Sequence, residues 1–330
     1  MSTKAKNTLN LCSLIVFFMM VGTYIGGLAV NIQATPINPT SIPTVGNAEL
    51  QGDIWYVDGN RLNNSGDGKT WASAYKLLAT AMAASHADIA RSSDRQWAAR
   101  NTIYVKGDSL DEDLTKLAQK TDIVGVGSCH QHPRPRLEGN HVIEAQTTAE
   151  YLGCRFFNIE FYCGTAGVIM TIPANQNGTI FQDCVFNGNS IATIGIQLTS
   201  THDTEVNNCR FVNGFSTSCV AVAAGAITNF YVRDCIIQGA GIGIDFNCTT
   251  SQAVDCWLID NLIHTVGMPI DSESDTELLS IAVVGNRMIT DIDTTTSTDG
   301  YDFTLTMSAG NLLTGADETD NIPVINNAEG

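Results

Sequence analysis

Two aspartates and a histidine in the second half of the chain have the types and spacing to do chemistry. Asp245 stands in GIDFNC, Asp271 in GMPIDS, and His264 just before the second stretch. Apolar and polar residues alternate in these stretches, which means strand, so each aspartate would face away from a core. If the two strands stack on successive turns of a repeat, the aspartates lie one turn and two residues apart. That is roughly 8 Å, from ~4.8 Å between strands and ~6.6 Å along one. Such a separation suits an inverting pair, one carboxyl as acid and one as base, with His264 joining from the turn. It equally suits shared ligation of calcium, which takes carboxylate oxygens. The plain alternative is that both are solvated surface residues, the usual place for carboxylates. Asp291, Asp293, Asp299 and Asp302, and the turn from Asp58 to Asp67, also hint at calcium but match no EF-hand loop.

What would position these residues is a repeat. YLGCRF, FQDCVF, VNNCRF, VRDCII, AVDCWL and VVGNRM share a frame at Cys154, Cys184, Cys209, Cys235, Cys256 and Asn286. Out of phase with it, Gly167, Gly195, Gly243, Gly267 and Gly300 each open an alternating strand, with Cys219 in the remaining slot. The expected inward pairs are Val168/Met170, Ile196/Leu198, Val220/Val222, Ile244/Phe246, Met268/Ile270 and Tyr301/Phe303. Short strands recurring at such a period signal a solenoid. A leucine-rich repeat would need a Leu-x-x-Leu-x-Leu frame, and a propeller blade ~40–50 residues. The expected fold is therefore all-β, a right-handed parallel β-helix. The framing cysteines are expected at bends as buried thiols, small apolar fillers rather than disulfides or a zinc site, since no C-x-x-C occurs. Asp183, Asp234 and Asp255, one place before the frame, should form a solvated strip, with Arg155, Arg210 and Arg287 as partners across the bend.

Charge supports this division. The 330 residues carry 34 acidic against 17 basic side chains, a net charge of −17. Residues 1–136 are near neutral, whereas residues 137–330 hold only Arg155, Arg210, Arg233 and Arg287 against 23 carboxylates. An acidic cylinder is no partner for phosphate chains, so nucleic acid is excluded. Lys4 and Lys6 precede an apolar run whose core, Leu11–Gly22, has the length of a signal-peptide h-region; read to Val30 it could span a membrane. Either way the bulk of the chain is expected outside the cytoplasm, with membrane contact only through this segment. The expected organisation is a signal or anchor over 1–34, a Pro-rich linker over 35–52, a cap over 53–100, coils over 101–305 and a tail over 306–330.

The cap segment, IWYVDGNRLNNSGDGKTWASAYKLLATAMAAS, reads as a strand, a turn and a helix from about Trp71, with Tyr75, Leu77, Leu78 and Met82 covering the open end of the solenoid. Tyr56-Val57, Gly66-Asp67-Gly68, Trp71, Ala74 and Ala81 make it resemble the N-terminal cap of the pectate-lyase-like β-helix superfamily. NTIYVKGDSLDEDLTKLAQKTDIVGVGS resembles the first coil of such proteins, and with the repeats the resemblance covers about residues 54–303. It implies the fold and a choice of functions: polysaccharide lyases, glycoside hydrolases, phage tailspikes, or surface and virion proteins without chemistry. Trp257-Leu258-Ile259-Asp260 is similar to a W-I-D-H stretch of one lyase family, but Asn261 replaces the histidine.

Two readings follow. The first is an exported or virion-surface structural β-helix that binds a polysaccharide or cell-surface glycan without chemistry, as a homotrimer or beside virion proteins. The second is a secreted lyase or hydrolase using Asp245, Asp271 and His264, with or without calcium.

Overall fold

The computed structural model describes residues 52–127, 134–145, 153–223, 225–246, 253–272, 281–290, 305–309 and 312–314. All belong to one compact unit, Glu49–Gly330. The export segment expected over 1–34 lies outside them. No helix among the described residues is long and apolar enough to cross a membrane.

The fold is a parallel β-helix. One coil runs Ile180–Gln182 in a ten-stranded first sheet, Val185–Asn187 in a nine-stranded second sheet and Ala192–Leu198 in a six-stranded third sheet. The next coil re-enters the first sheet at Glu205, in parallel register with Ile180. Because side chains alternate along a strand, each sheet sends one column inward. In the first sheet it is Ile103, Ile123, Phe156, Phe181, Val206, Val232 and Leu258. In the second it is Leu137, Phe161, Phe186, Phe211, Ile237, Ile263 and Met288. All of these are buried.

A sharp bend joins the first two sheets, and here the cysteine frame needs correction. The column inside the bend is Ile159, Cys184, Cys209, Cys235, Asn261 and Asn286, tied by backbone bonds such as Val185 N to Ile159 O and Leu262 N to Cys235 O, both 2.9 Å. Cys154 and Cys256 belong instead to the column before the first sheet, with Thr179, Thr204 and Phe230. The two columns are separate because a coil contains two bends of similar local sequence. Outside the first bend, Asn158, Asp183, Asn208, Asp234 and Asp260 all have positive φ, a conformation asparagine and aspartate tolerate; Gly285 takes that place in the next coil. Asp255 lies at the other bend, with Asp203 and Asn229. Two of the acids are hydrogen-bonded by amides of the next coil, Asn208 donating to Asp183 at 2.6 Å and Asn229 to Asp203 at 2.8 Å.

The seven described cysteines are buried free thiols, as expected. In the inner column the thiols give way to amides without a break. Cys235 Sγ accepts from Cys209 N at 3.4 Å, Asn261 Oδ1 accepts from Cys235 N at 3.0 Å, and Asn286 Oδ1 accepts from both Asn261 N and Nδ2. Asn261→Ala should therefore cost about 2–3 kcal/mol, since it removes three side-chain bonds, among them Nδ2 to Val232 O at 2.9 Å, and strands the Cys235 N–H. Asn261→Cys should recover much of the loss, because a thiol already fills this position one coil earlier. Urea denaturation of both variants checks this, and equal losses would refute the ladder's role.

In the third sheet the inward column is His141, Met170, Ile196, Val220, Ile244 and Ile270. The glycine frame is displaced here: Met170, not Val168, faces Ile196, and Ile270, not Met268, faces Ile244. Register shifts near the strand starts, as between Ala192 and Ile194, absorb the difference. Tyr301 and Phe303 lie outside the described residues. His141 is fully buried, its Nδ1 accepting from Leu114 N at 3.1 Å and its ring edge-on to Phe161 at 5.9 Å. Burial pushes its pKa from 6.5 down to about 4. Between those values the unfolded chain binds a proton that the folded chain refuses, so stability is full above 6.5 and falls as pH drops. The loss should reach about 2 kcal/mol by about pH 5. His141→Gln, which can still accept from Leu114 N, should flatten this part of the pH profile in urea melts; an unchanged slope would contradict it.

At the N-terminal end the strand Ile54–Asp58 pairs with Asn101–Lys106. The helix starts later than expected. Trp71–Ser73 is a 3₁₀ turn capped by Thr70, and Tyr75 exchanges backbone bonds with Tyr56 and Asp58. Helix α1 then spans Leu78–Ile89 and buries Leu78, Ala81, Met82, Ser85 and Ile89 against the first two strands of the first sheet. Leu77 and Tyr75 remain half-buried outside it. The first amides of α1 are taken by Glu112, whose Oε1 and Oε2 accept from Leu78 N and Ala79 N at 2.6 and 2.9 Å. Helix α2, Ser93–Ala98, is capped by Ser92.

Candidate functional site

Asp245 and Asp271 do face outward from the third sheet and do meet, but not as expected. They are direct register partners in the column Val142, Thr171, Gln197, Ala221, Asp245, Asp271. Their backbones are thus one strand spacing apart, ~4.8 Å, rather than the ~8 Å of an offset pair. The two-residue displacement of the glycine frame at Gly267 accounts for the difference. This backbone spacing is narrower than the one on which the inverting-pair expectation rests. Asp245 is also only 7% exposed, and Ala221 beside it 4%.

His264 is not brought into that column. It lies on Leu262–Thr265 of the second sheet, in register with Gln238 and Ile289, and alternates with buried Ile263 and Thr265. Among the described residues, no three His, Cys, Asp or Glu side chains converge as a metal site. Asp58 Oδ1 accepts from Asn60 N while its other oxygen pairs with Lys106 at 3.3 Å. Asp67 accepts from Ser73 Oγ and Lys69 N, and these bonds, Ser73 first, hold its carboxyl below the usual range. Both side chains therefore act as turn caps. Asp291, Asp293, Asp299 and Asp302 lie outside the described residues.

A different surface carries more organised chemistry: the outward face of the first sheet. Its two columns read Asp122, Arg155, Ile180, Glu205, Tyr231, Trp257 and Val124, Phe157, Gln182, Asn207, Arg233, Ile259. Arg155 does not reach across the bend but grips Asp122 of the preceding coil through two bonds of 2.7 Å, a bidentate fork. That bond raises the Arg155 pKa further. Arg100 adds a third bond to Asp122 at 2.9 Å, and the Arg155 guanidinium lies 5.7 Å from the Phe157 ring centre. Three coils on, the arrangement recurs: Arg233 bonds Glu205 and, at 2.7 Å, Asn207 Oδ1, and sits 5.9 Å from the Tyr231 ring. Trp257 continues the aromatic column beside Tyr231. A related cluster stands on the second sheet, with Arg136 over Tyr162 at 4.3 Å and bonded to Glu160, which also accepts from Asn187 at 2.8 Å. Arg210 and Arg287 are exposed on that sheet.

The sequence carried the signal for this face in the residues flanking each buried position before the bend: Arg155 and Phe157, Tyr231 and Arg233, Trp257 and Ile259. Reading only the glycine-led strands passed over it. Chemically, the face combines flat half-buried aromatic rings with carboxylate, guanidinium and amide edges held in place by one another. It is suited to recognition: rings offer apolar faces, and the fixed edges offer donors and acceptors.

No family model matches the chain, and no curated protein matches it. Among solved structures it is similar to a rhamnogalacturonan lyase, with a TM-score of 0.43 and 12% identity over 72% of this chain and 68% of that one.

Proposed function

We propose that the protein is an exported surface β-helix that binds glycans without cleaving them, through the outward face of the first sheet. The observation that carries this reading is the repeated carboxylate–guanidinium–aromatic arrangement at Asp122/Arg155/Phe157 and Glu205/Arg233/Tyr231, continued by Trp257. Sugars present both C–H faces and hydroxyls, and this surface offers a counterpart to each. The charged segment before Leu11 favours an extracellular or cell-envelope location, and a virion surface would suit the same architecture. A rigid cylinder with side chains at fixed coil spacing needs little ordering on binding, which favours affinity.

Binding of the full chain to immobilised polysaccharides, with Trp257→Ala and Tyr231→Ala beside it, tests the proposal. Each variant should lose roughly 30-fold in affinity, the effect of removing a hot-spot aromatic worth about 2 kcal/mol. Binding that ignores both substitutions would move the site elsewhere. Release of reducing ends or unsaturated sugars, abolished by Asp271→Ala, would instead make the protein a hydrolase or lyase working from the third sheet.

A further inference from the structure

We infer that the ligand of the first-sheet face is an uncharged glycan; this rests on the glycan-binding reading and specifies its chemistry. The inference comes from charge pairing on the face itself. Arg155 is engaged by Asp122 and Arg233 by Glu205, and toward the N-terminal end Lys106 is paired with Asp58 and Lys69 with Asp53. Arg100, at its margin, shares Asp122. Lys106, Arg155 and Arg233, the cations on the outward side of this sheet among the described residues, thus each bond a carboxylate of the same face.

A uronate or sulfate would have to compete with those carboxylates for the guanidinium groups. It would do so beside residues 137–330, which hold 23 acidic and four basic side chains and whose field repels anions. A polysaccharide cation fares no better, because the carboxylates are themselves engaged. A neutral hydroxyl needs neither exchange. It can accept from a guanidinium N–H left over after pairing, since the group has five donors. It can also donate to a remaining carboxylate lone pair, while the sugar rings lie on Phe157, Tyr231 and Trp257. Pairing therefore leaves the face with little net charge but strongly polar, on an acidic body. The same argument separates the two ligand classes by salt. Binding through hydrogen bonds and ring contacts is insensitive to ionic strength, whereas binding of an anion responds to screening.

The test uses the full chain, immobilised neutral glucan, mannan and galactan, and polygalacturonate and heparin as anionic probes. A neutral polymer should bind, with affinity changing less than about twofold between about 50 and about 500 mM salt. Glu205→Gln leaves Arg233 without its carboxylate, and should raise affinity for an anionic probe by about tenfold at low salt. A misfolded variant could not produce that gain. Wild-type binding to anionic polymers alone, weakening with salt, would overturn the inference while leaving glycan binding intact. Binding to neither class would overturn both. Association of the chain with itself, lost in Trp257→Ala, would identify the face as a subunit contact and also overturn both.

Discussion

Truncating Phe186 to alanine is expected to destabilise the protein by about 3–5 kcal/mol, the range for deleting a fully buried aromatic. Phe186 is completely buried and stacked between Phe161 and Phe211, with ring centres 5.0 and 4.9 Å away and planes within 10° of parallel. It also meets Phe181 edge-on at 5.4 Å, and Phe181 stacks on Phe156 at 5.3 Å. The two files of rings come from the first and second sheets and form a spine through the middle coils. Collapse cannot fill the hole, because the neighbouring coils are held at fixed spacing by their backbone ladders. The loss should therefore fall toward the upper part of the range. Phe186→Leu, which keeps more of the volume, should cost clearly less. Urea denaturation measures both, and a loss below about 1 kcal/mol for Phe186→Ala would show that the spine is not the core of the fold. The spine also bears on the proposed site: Phe181 and Phe156 lie on the same strands as Gln182, Arg155 and Phe157 and back the proposed glycan-binding face.

The second large effect is expected at the cap. Arg95 is 1% exposed and forms an ion pair with Asp88, while its Nε donates to the Asp88 carbonyl at 3.1 Å. Asp88 also accepts from Asn101 Nδ2 at 3.1 Å, and Asn101 Oδ1 accepts from Asp53 N at 2.7 Å. The pair thus joins both helices to the first strands. Arg95→Met fills much of the volume but leaves Asp88 half-neutralised, with Arg91 at 3.6 Å on the exposed side as its remaining cation. The expected loss is about 3–4 kcal/mol, the lower part of the range for breaking a buried pair. Changing Asp88 to Asn together with Arg95→Met should cost less than Arg95→Met alone, because the uncompensated charge is then absent. If the double variant is as unstable as the sum of the single ones, the ion pair is not what holds the cap. Limited proteolysis at α1 should report the same order.

The parts of this molecule written in the sequence are those that depend on neighbours along the chain. Apolar residues recurring in the framed segments, Phe181, Val206 and Val232, mark inward positions of the first sheet. The recurring bend motif marked a solenoid, and small residues such as Cys184 and Cys209 marked the space inside the bend. The cap was recognisable, but its helix begins at Leu78 rather than near Trp71 because Tyr75 spends its backbone bonds on the first strand.

Only the tertiary structure decided which residues of successive coils face each other. Cys154 and Cys256 look locally like Cys184 and Cys209, yet they occupy the other bend. Asp245 and Asp271, expected ~8 Å apart, are register partners; His264, expected beside them, projects from another sheet. The charged and aromatic arrangement on the first sheet exists only because Arg155 meets Asp122, and Arg233 meets Glu205, one coil away. A strand's inside and outside follow from a period of two, a local property of the backbone. Register between coils follows from the lengths and bulges of the intervening turns, which a shift of one or two residues can absorb without altering the local pattern.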